Sequence, residues 1–256
     1  MIDTHCHLDV AAFDPDRDAV LARAEAAGVQ AIVVPAIRPQ TWPALIALAR
    51  AHRMLRFALG IHPQIVPELA PAEELDVDAL ARAIEDSGAL AVGECGLDGK
   101  TGEPSAQEHL FRVQIRAARA TKRPLVIHVL NAHDRAPAIL REERASDVGG
   151  VLHSYSGGAA LLSVYRDLGL AFSFAGPVTY ANARRPLEAV RAVPAELLLA
   201  ETDAPDQAPE PHRGGRSEPA YLPAIIAAIA AARGEPIEAI AKLTAENARR
   251  VLGMAP

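Results

Sequence analysis

Two histidines flank a cysteine near the start of the chain, His5 and His7 around Cys6, and four further side chains with metal-binding chemistry follow: Glu94, His128, His153 and Asp203. Imidazole and carboxylate groups suit borderline or hard divalent cations, whereas a structural zinc of the thiolate type would need more cysteines than this chain has. Side chains alternate along a strand, so His5 and His7 are expected on one face and Cys6 on the other. Glu94 sits in Gly93-Glu94-Cys95-Gly96-Leu97-Asp98, inside an apolar run where an unpaired charge would be costly. His128, His153 and Asp203 also interrupt or close apolar runs. Each of these alone reads equally as a hydrogen-bonded core residue. Together, four histidines, one glutamate and one aspartate offer enough ligands for two divalent ions, and Zn²⁺, Mn²⁺ or Mg²⁺ would all be accepted.

Two such ions about 3.5–4 Å apart can share a water, lower its pKa and clamp a phosphoryl or carbonyl oxygen under attack. Asp203 is then expected to orient that water and take its proton, with Glu94 as its catalytic companion at the ions. No serine or cysteine nucleophile is required. His62, in Gly60-Ile61-His62-Pro63, is expected to face the same site and touch substrate, and Arg213 and Arg216 could strengthen its positive field. His52 and His109, in helical segments, and His212, in a loop, read as surface residues. His133 and Asp134 are weaker candidates for the site.

The elements that must carry these residues follow from the hydrophobic pattern. Apolar, β-rich runs at 1–7, 31–37, 57–62, 90–97, 124–130, 150–155, 171–174 and 197–202 predict eight strands buried on both faces. Helical patterns alternate with them, among others at 18–27, 42–52, 76–86, 106–121 and 132–141. A loop rich in proline, glycine and arginine spans 204–219, and helices are expected at 220–232 and 236–252. No repeat, charge block or linker divides the chain. One domain over 1–256 is the economical reading, an α/β fold of the single-domain (β/α)8 TIM barrel kind, with functional groups at the C-terminal strand ends. An open doubly wound sheet is the competing fold, but no glycine-rich phosphate loop follows the first strand.

Composition narrows the partners. With 26 basic and 32 acidic residues the net charge is −6, which argues against binding polyanions through overall charge. The N-terminus carries no secretory pattern and the longest apolar stretch is too short for a membrane span, so no membrane association and a cytoplasmic location are expected. Cys6 and Cys95 are too few for a disulfide framework and read as small buried apolar residues.

These segments together resemble the TatD family of metal-dependent hydrolases, a branch of the amidohydrolase superfamily. The resemblance runs nearly end to end through Ile2-Asp3-Thr4-His5-Cys6-His7-Leu8-Asp9, Gly60-Ile61-His62-Pro63, Gly93 to Asp98, Ile127-His128, His153-Ser154-Tyr155-Ser156-Gly157 and Glu201-Thr202-Asp203-Ala204-Pro205. It implies a (β/α)8 barrel in which His5, His7 and Asp203 hold one ion, His128 and His153 the other, and Glu94 bridges both. It also implies a deoxyribonuclease acting 3′ to 5′, with single-stranded DNA ends or a small phosphoester as substrate and no obligate protein partner. The chain departs from the family's common pattern at Gly99, Leu130 and Ser217, positions where relatives often carry an aromatic residue, an arginine and an asparagine. Hydrolysis of an ester or amide, such as an aminoacyl or small cyclic substrate, is the alternative reading, because the same metal-activated water attacks carbonyl carbon. A metal-stabilised binding protein without turnover is a third.

Overall fold

Short apolar runs, each followed by an amphipathic segment, can bury both strand faces only if helices return over the sheet, and the computed structural model shows that arrangement for residues 1–70 and 76–255. Eight parallel strands follow chain order: β1 Ile2–Asp3, β2 Ala31–Pro35, β3 Leu55–Leu59, β4 Ala91–Asp98, β5 Leu125–Leu130, β6 Gly150–Leu152, β7 Leu170–Phe174 and β8 Leu198–Ala200. Helices α1 Arg17–Ala26, α2 Trp42–Ala51, α3 Val77–Ser87, α4 Pro104–Thr121, α5 Ala136–Glu142, α6 Leu162–Arg166, α7 Arg184–Ala192, α8 Leu222–Arg233 and α9 Ile237–Leu252 complete the fold. The sheet closes where residues 4–7 meet 200–204. Thr4 donates its N–H to the Ala200 carbonyl, Asp203 to that of His5, and His7 to that of Ala204, at 3.3, 2.9 and 2.7 Å. This is a (β/α)8 TIM barrel.

Two apolar layers hold it. The larger lies between strands and helices and includes Val34, Phe57, Ile127, Phe172, Phe111 and Ile229. The smaller fills the lower barrel with Ile2, Val33, Val126, Val151, Leu199 and the small residues Ala31, Ala58, Ala91 and Ala171. Helix α9 covers that floor with Ala245, Ala248 and Leu252. Polar groups take over higher up, where Thr4 and Ser173 place their hydroxyl oxygens 2.7 Å apart. The interior thus changes from apolar to polar toward the C-terminal strand ends, where this fold carries its chemistry.

Several strands are shorter than the apolar runs that announce them. The first ends at Asp3 rather than residue 7, the sixth at Leu152 rather than 155, and the eighth at Ala200 rather than 202. The third, expected at 57–62, runs Leu55–Leu59. At the mouth the chain leaves the ladder to turn polar side chains inward, and Ser154 and Asp203 do so with φ of 41° and 52°. The helix expected from residue 132 begins at Ala136, with Pro137 in its first turn, where proline's missing N–H costs nothing. No helix among the described residues is long and apolar enough to cross a membrane.

Candidate metal centre

Glu94 occupies its position because β4 breaks alternation. The pairing register with β5 shifts between Val92 and Cys95, and both those side chains join the layer under the helices although they stand three positions apart, a spacing that regular alternation puts on opposite faces. A bulge of this kind turns the residues beyond it by one position, which aims Glu94 and Asp98 at the mouth. The backbone must come close for this to happen. A Cβ on Gly96, whose φ is 139°, would stand 1.9 Å from the His128 carbonyl oxygen, so no other residue fits there.

The carboxylate of Glu94 is completely buried and ringed by imidazoles. Its Oε1 lies 2.9 Å from Nε2 of His153, 3.1 Å from Nδ1 of His128 and 2.9 Å from Nε2 of His62. Its Oε2 lies 3.1 Å from Nε2 of His5 and 3.3 Å from Nε2 of His7. Those two nitrogens also approach Oδ1 of Asp203, at 3.7 and 3.9 Å. The two oxygens of one carboxylate therefore face two separate sets of donors. The rings of His5 and His153 stack between the sets at 3.9 Å.

Charge follows this geometry. Burial alone would raise the Glu94 pKa, but the surrounding His62, His153 and His5 outweigh it and hold the carboxyl well below its ordinary range. His153 shows the converse: burial works against its charge, yet Glu94 and Glu201 lift it well above the usual imidazole value. His5, buried among the other rings, is lowered.

The donor set fits divalent cations. Oε2 of Glu94 is buried and accepts no hydrogen bond in proper geometry, although two histidine nitrogens crowd it. An unsatisfied carboxylate oxygen is expensive in such a place, and a cation shared with those nitrogens would satisfy all three atoms. Ligands bound at roughly 2.0–2.2 Å around one ion stand about 3–3.5 Å from each other, close to the spacing between Glu94 and its imidazoles, while Asp203 stands wider. Three groupings bring potential ligand atoms together: His5, Glu94 and His153; His5, His7 and Asp203; His62, Glu94 and His128.

Behind the inner ring stands a second set of carboxylates. Asp98 places Oδ2 3.3 Å from Nε2 of His128, and Glu201 places Oε1 3.4 Å from Nδ1 of His153. Asp3 accepts from the backbone N–H and hydroxyl of Thr202, at 2.9 and 2.5 Å, and so ties β1 to the segment that delivers Asp203. The Gln207 side-chain amide donates to Oδ2 of Asp203 and to the Ser154 hydroxyl. Outer carboxylates that orient ligand histidines are a regular feature of metal sites, so Asp98 and Glu201, both within motifs ending strands, carried a readable signal. Gln207 carried none.

The six expected ligands converge on one mouth, and His62 lies beside them. Arg213 and Arg216, expected to contact substrate, are engaged with other side chains. Arg216 makes a two-pronged pair with Asp16, 2.8 Å on each arm, and lies over Phe13. Arg213 rests on the Tyr180 ring, 4.1 Å from its centre. His133 bonds the Tyr165 hydroxyl at 2.7 Å, and His212 stacks on Tyr221. Cys6 and Cys95 are buried in the layer under the helices, away from the mouth.

A barrel with histidines and carboxylates at its C-terminal mouth defines the metal-dependent hydrolase class, and comparison with known proteins narrows it. The family described as TatD related DNase matches residues 2–253. A Bacillus subtilis protein called uncharacterized metal-dependent hydrolase YabD is 34% identical over 253 residues, covering 98% of both chains. The Salmonella typhimurium 3′-5′ ssDNA/RNA exonuclease TatD is 36% identical over 259 residues, covering 97% of each. The crystal structure of the TatD homolog YjjV from Escherichia coli superposes with a TM-score of 0.91 at 31% identity, over 100% of this chain and 98% of that one. The chain belongs to the TatD family of metal-dependent hydrolases.

Proposed function

We propose that this chain hydrolyses phosphodiester bonds of single-stranded DNA, removing nucleotides from the 3′ end, with two divalent ions held by its mouth. The observation that carries this reading is the division of Glu94: one oxygen faces His5 and His7, whose nitrogens also approach Asp203, and the other faces His62, His128 and His153. A carboxylate so divided is suited to bridge two ions, each with its own ligands. The exonuclease name of the Salmonella relative supports the choice of substrate.

When bound, such ions would polarise a phosphoryl oxygen and make a bound water more acidic. The chain's own residues do the rest. Asp203 accepts the water's proton; its Oδ2 is held by the Gln207 amide while Oδ1 faces the histidines. The water oxygen forms a bond to phosphorus as the bond to the 3′ oxygen breaks, and Asp203 returns its proton to that leaving oxygen. Asp98 and Glu201 keep His128 and His153 turned toward Glu94. In this reading His62, buried 2.9 Å from Oε1 of Glu94, meets the substrate beside the ions.

One observation favours ester or amide hydrolysis instead. Leu130 lines the cavity beside His128 and His153 together with Tyr155 and Phe174, which leaves that wall apolar. The two readings separate on one panel: a 5′-labelled single-stranded oligonucleotide, aminoacyl esters and small lactones, each with Mn²⁺, Mg²⁺ or Zn²⁺ and with EDTA. Metal-dependent shortening of the oligonucleotide from its 3′ end is expected. Turnover of the acyl substrates with intact DNA would overturn the nuclease reading.

A further inference from the structure

A cavity of about 400 Å³ opens from the metal centre, with His128, His153 and Asp203 on one wall and Tyr155, Phe174 and Val178 among the others. Ligand pockets span roughly 300–1,000 Å³, so this one is the size of a single small unit. Its lining contains one permanent cation, Arg185 at the start of α7. Arg185 is exposed, and its Nη2 donates to the Gly157 carbonyl at 2.9 Å. No carboxylate pairs with it among the described residues.

The chain prepares this placement. Gly158 has a φ of 74°, and a Cβ there would stand 2.8 Å from Nε of Arg185. The guanidinium stem thus lies across a turn whose positive φ favours glycine. The other carbonyl of the turn, that of Gly158, accepts from the Tyr155 hydroxyl at 2.7 Å, so one short segment fixes both the aromatic wall and the cation. A guanidinium held by a carbonyl and lacking an acid has donors left for an anion, and its planar fork suits phosphate.

We propose that Arg185 determines substrate specificity by binding a second, non-reacting phosphate, while the cavity holds the one nucleotide that separates it from the phosphate at the metal centre. This rests on the nuclease reading above and sharpens it: the recognised unit is a nucleotide carrying phosphate on both its 3′ and 5′ oxygens. The base lies against Tyr155 and Phe174, where stacking asks for no particular sequence.

The test pairs binding with turnover. Titration calorimetry of the Mn²⁺-loaded protein compares deoxyadenosine 3′,5′-bisphosphate with the 3′- and 5′-monophosphates. The wild type is expected to bind the bisphosphate roughly tenfold more tightly than either monophosphate, the scale of one charge-assisted contact at a partly exposed site. Arg185→Gln should bind all three alike, and Arg185→Lys should recover part of the preference. In turnover, Arg185→Gln should raise KM for dinucleotides with an additional terminal phosphate and leave both kcat and the KM of the dinucleoside monophosphate unchanged. An unaltered melting temperature shows that folding is intact. A wild type without bisphosphate preference, or a preference that survives Arg185→Gln, overturns the proposal. Failure of the wild type to cleave any phosphodiester overturns the nuclease reading instead, and the calorimetry still decides whether Arg185 reads phosphate.

Discussion

The backbone N–H of Gln64 donates to Nδ1 of His62 at 3.0 Å. A neutral imidazole that accepts at one nitrogen carries its proton on the other, so Nε2 of His62 points an N–H at Oε1 of Glu94, 2.9 Å away. His62 therefore offers the site a donor rather than a lone pair, although it stands as close to Glu94 as His153 does. The expected outcome is that His62→Gln retains the metal content of the wild type and loses turnover, while His153→Ala loses metal. Elemental analysis after dialysis decides it, and metal loss in His62→Gln would make this ring a ligand.

Glu94→Ala is expected to be the most damaging single change for metal content. It removes the negative charge between the two donor sets and leaves five histidine rings facing one another. Both equivalents should fall together in elemental analysis. Retention of two equivalents would exclude a bridging role.

Asp203→Asn separates chemistry from folding. Asp203 has a φ of 52°, a conformation that asparagine adopts readily, so the barrel should keep its melting temperature. The amide cannot accept a proton, and turnover should fall by about 10²–10⁴-fold. The comparison is the pH–rate profile of both proteins at saturating Mn²⁺. Near wild-type turnover in the variant would mean that another group takes the proton.

A pH-dependent contribution to stability lies far from the mouth, between α4 and α5. Glu143 is bonded by Arg116 at 2.7 and 2.8 Å and by Arg112 at 3.0 Å, and these arginines, Arg116 first, hold its carboxyl below the ordinary glutamate range. A carboxyl depressed in the folded state stabilises above its unfolded pKa and loses that contribution as pH falls through the folded value. Glu143→Gln should cost about 1 kcal/mol at neutral pH, a figure kept small because Arg116 is half exposed. The gap between variant and wild type should begin to narrow near pH 4, where the unfolded carboxyl protonates first, and close once the pH falls below the lower folded value. Urea titrations at neutral and acid pH measure both; a gap independent of pH would refute the assignment.

The convergence of the candidate ligands was legible in the sequence because ionisable side chains that close apolar runs have few ways to be accommodated. His5, His7, Glu94, His128, His153 and Asp203 all interrupt such runs, and the barrel brings them together. Strand alternation was a sound guide at Cys6 but insufficient at Glu94, whose direction depends on a register shift against β5 that no single strand reveals. The true ends of β1, β6 and β8 were hidden because an apolar run reports burial, and the mouth is buried after the ladder has stopped. Arg216, expected to add to the field of the site, pairs instead with Asp16, a partner 200 residues away that the sequence pattern does not reveal. Asp98 and Glu201 were visible as residues but acquire their roles only from the histidines they back across the barrel.

The seam that joins residues 4–7 to 200–204 also sets a timetable. His5 and His7 are made well before the segment bearing Asp203, which lies far along the sequence. Until then β1 has no neighbour on that side, and contacts so distant in sequence are slow to form. A nascent chain can thus offer a cation only scattered imidazoles and carboxylates. The proposed set of ligands comes together only with the closing of the barrel, so metal capture would report the completed fold.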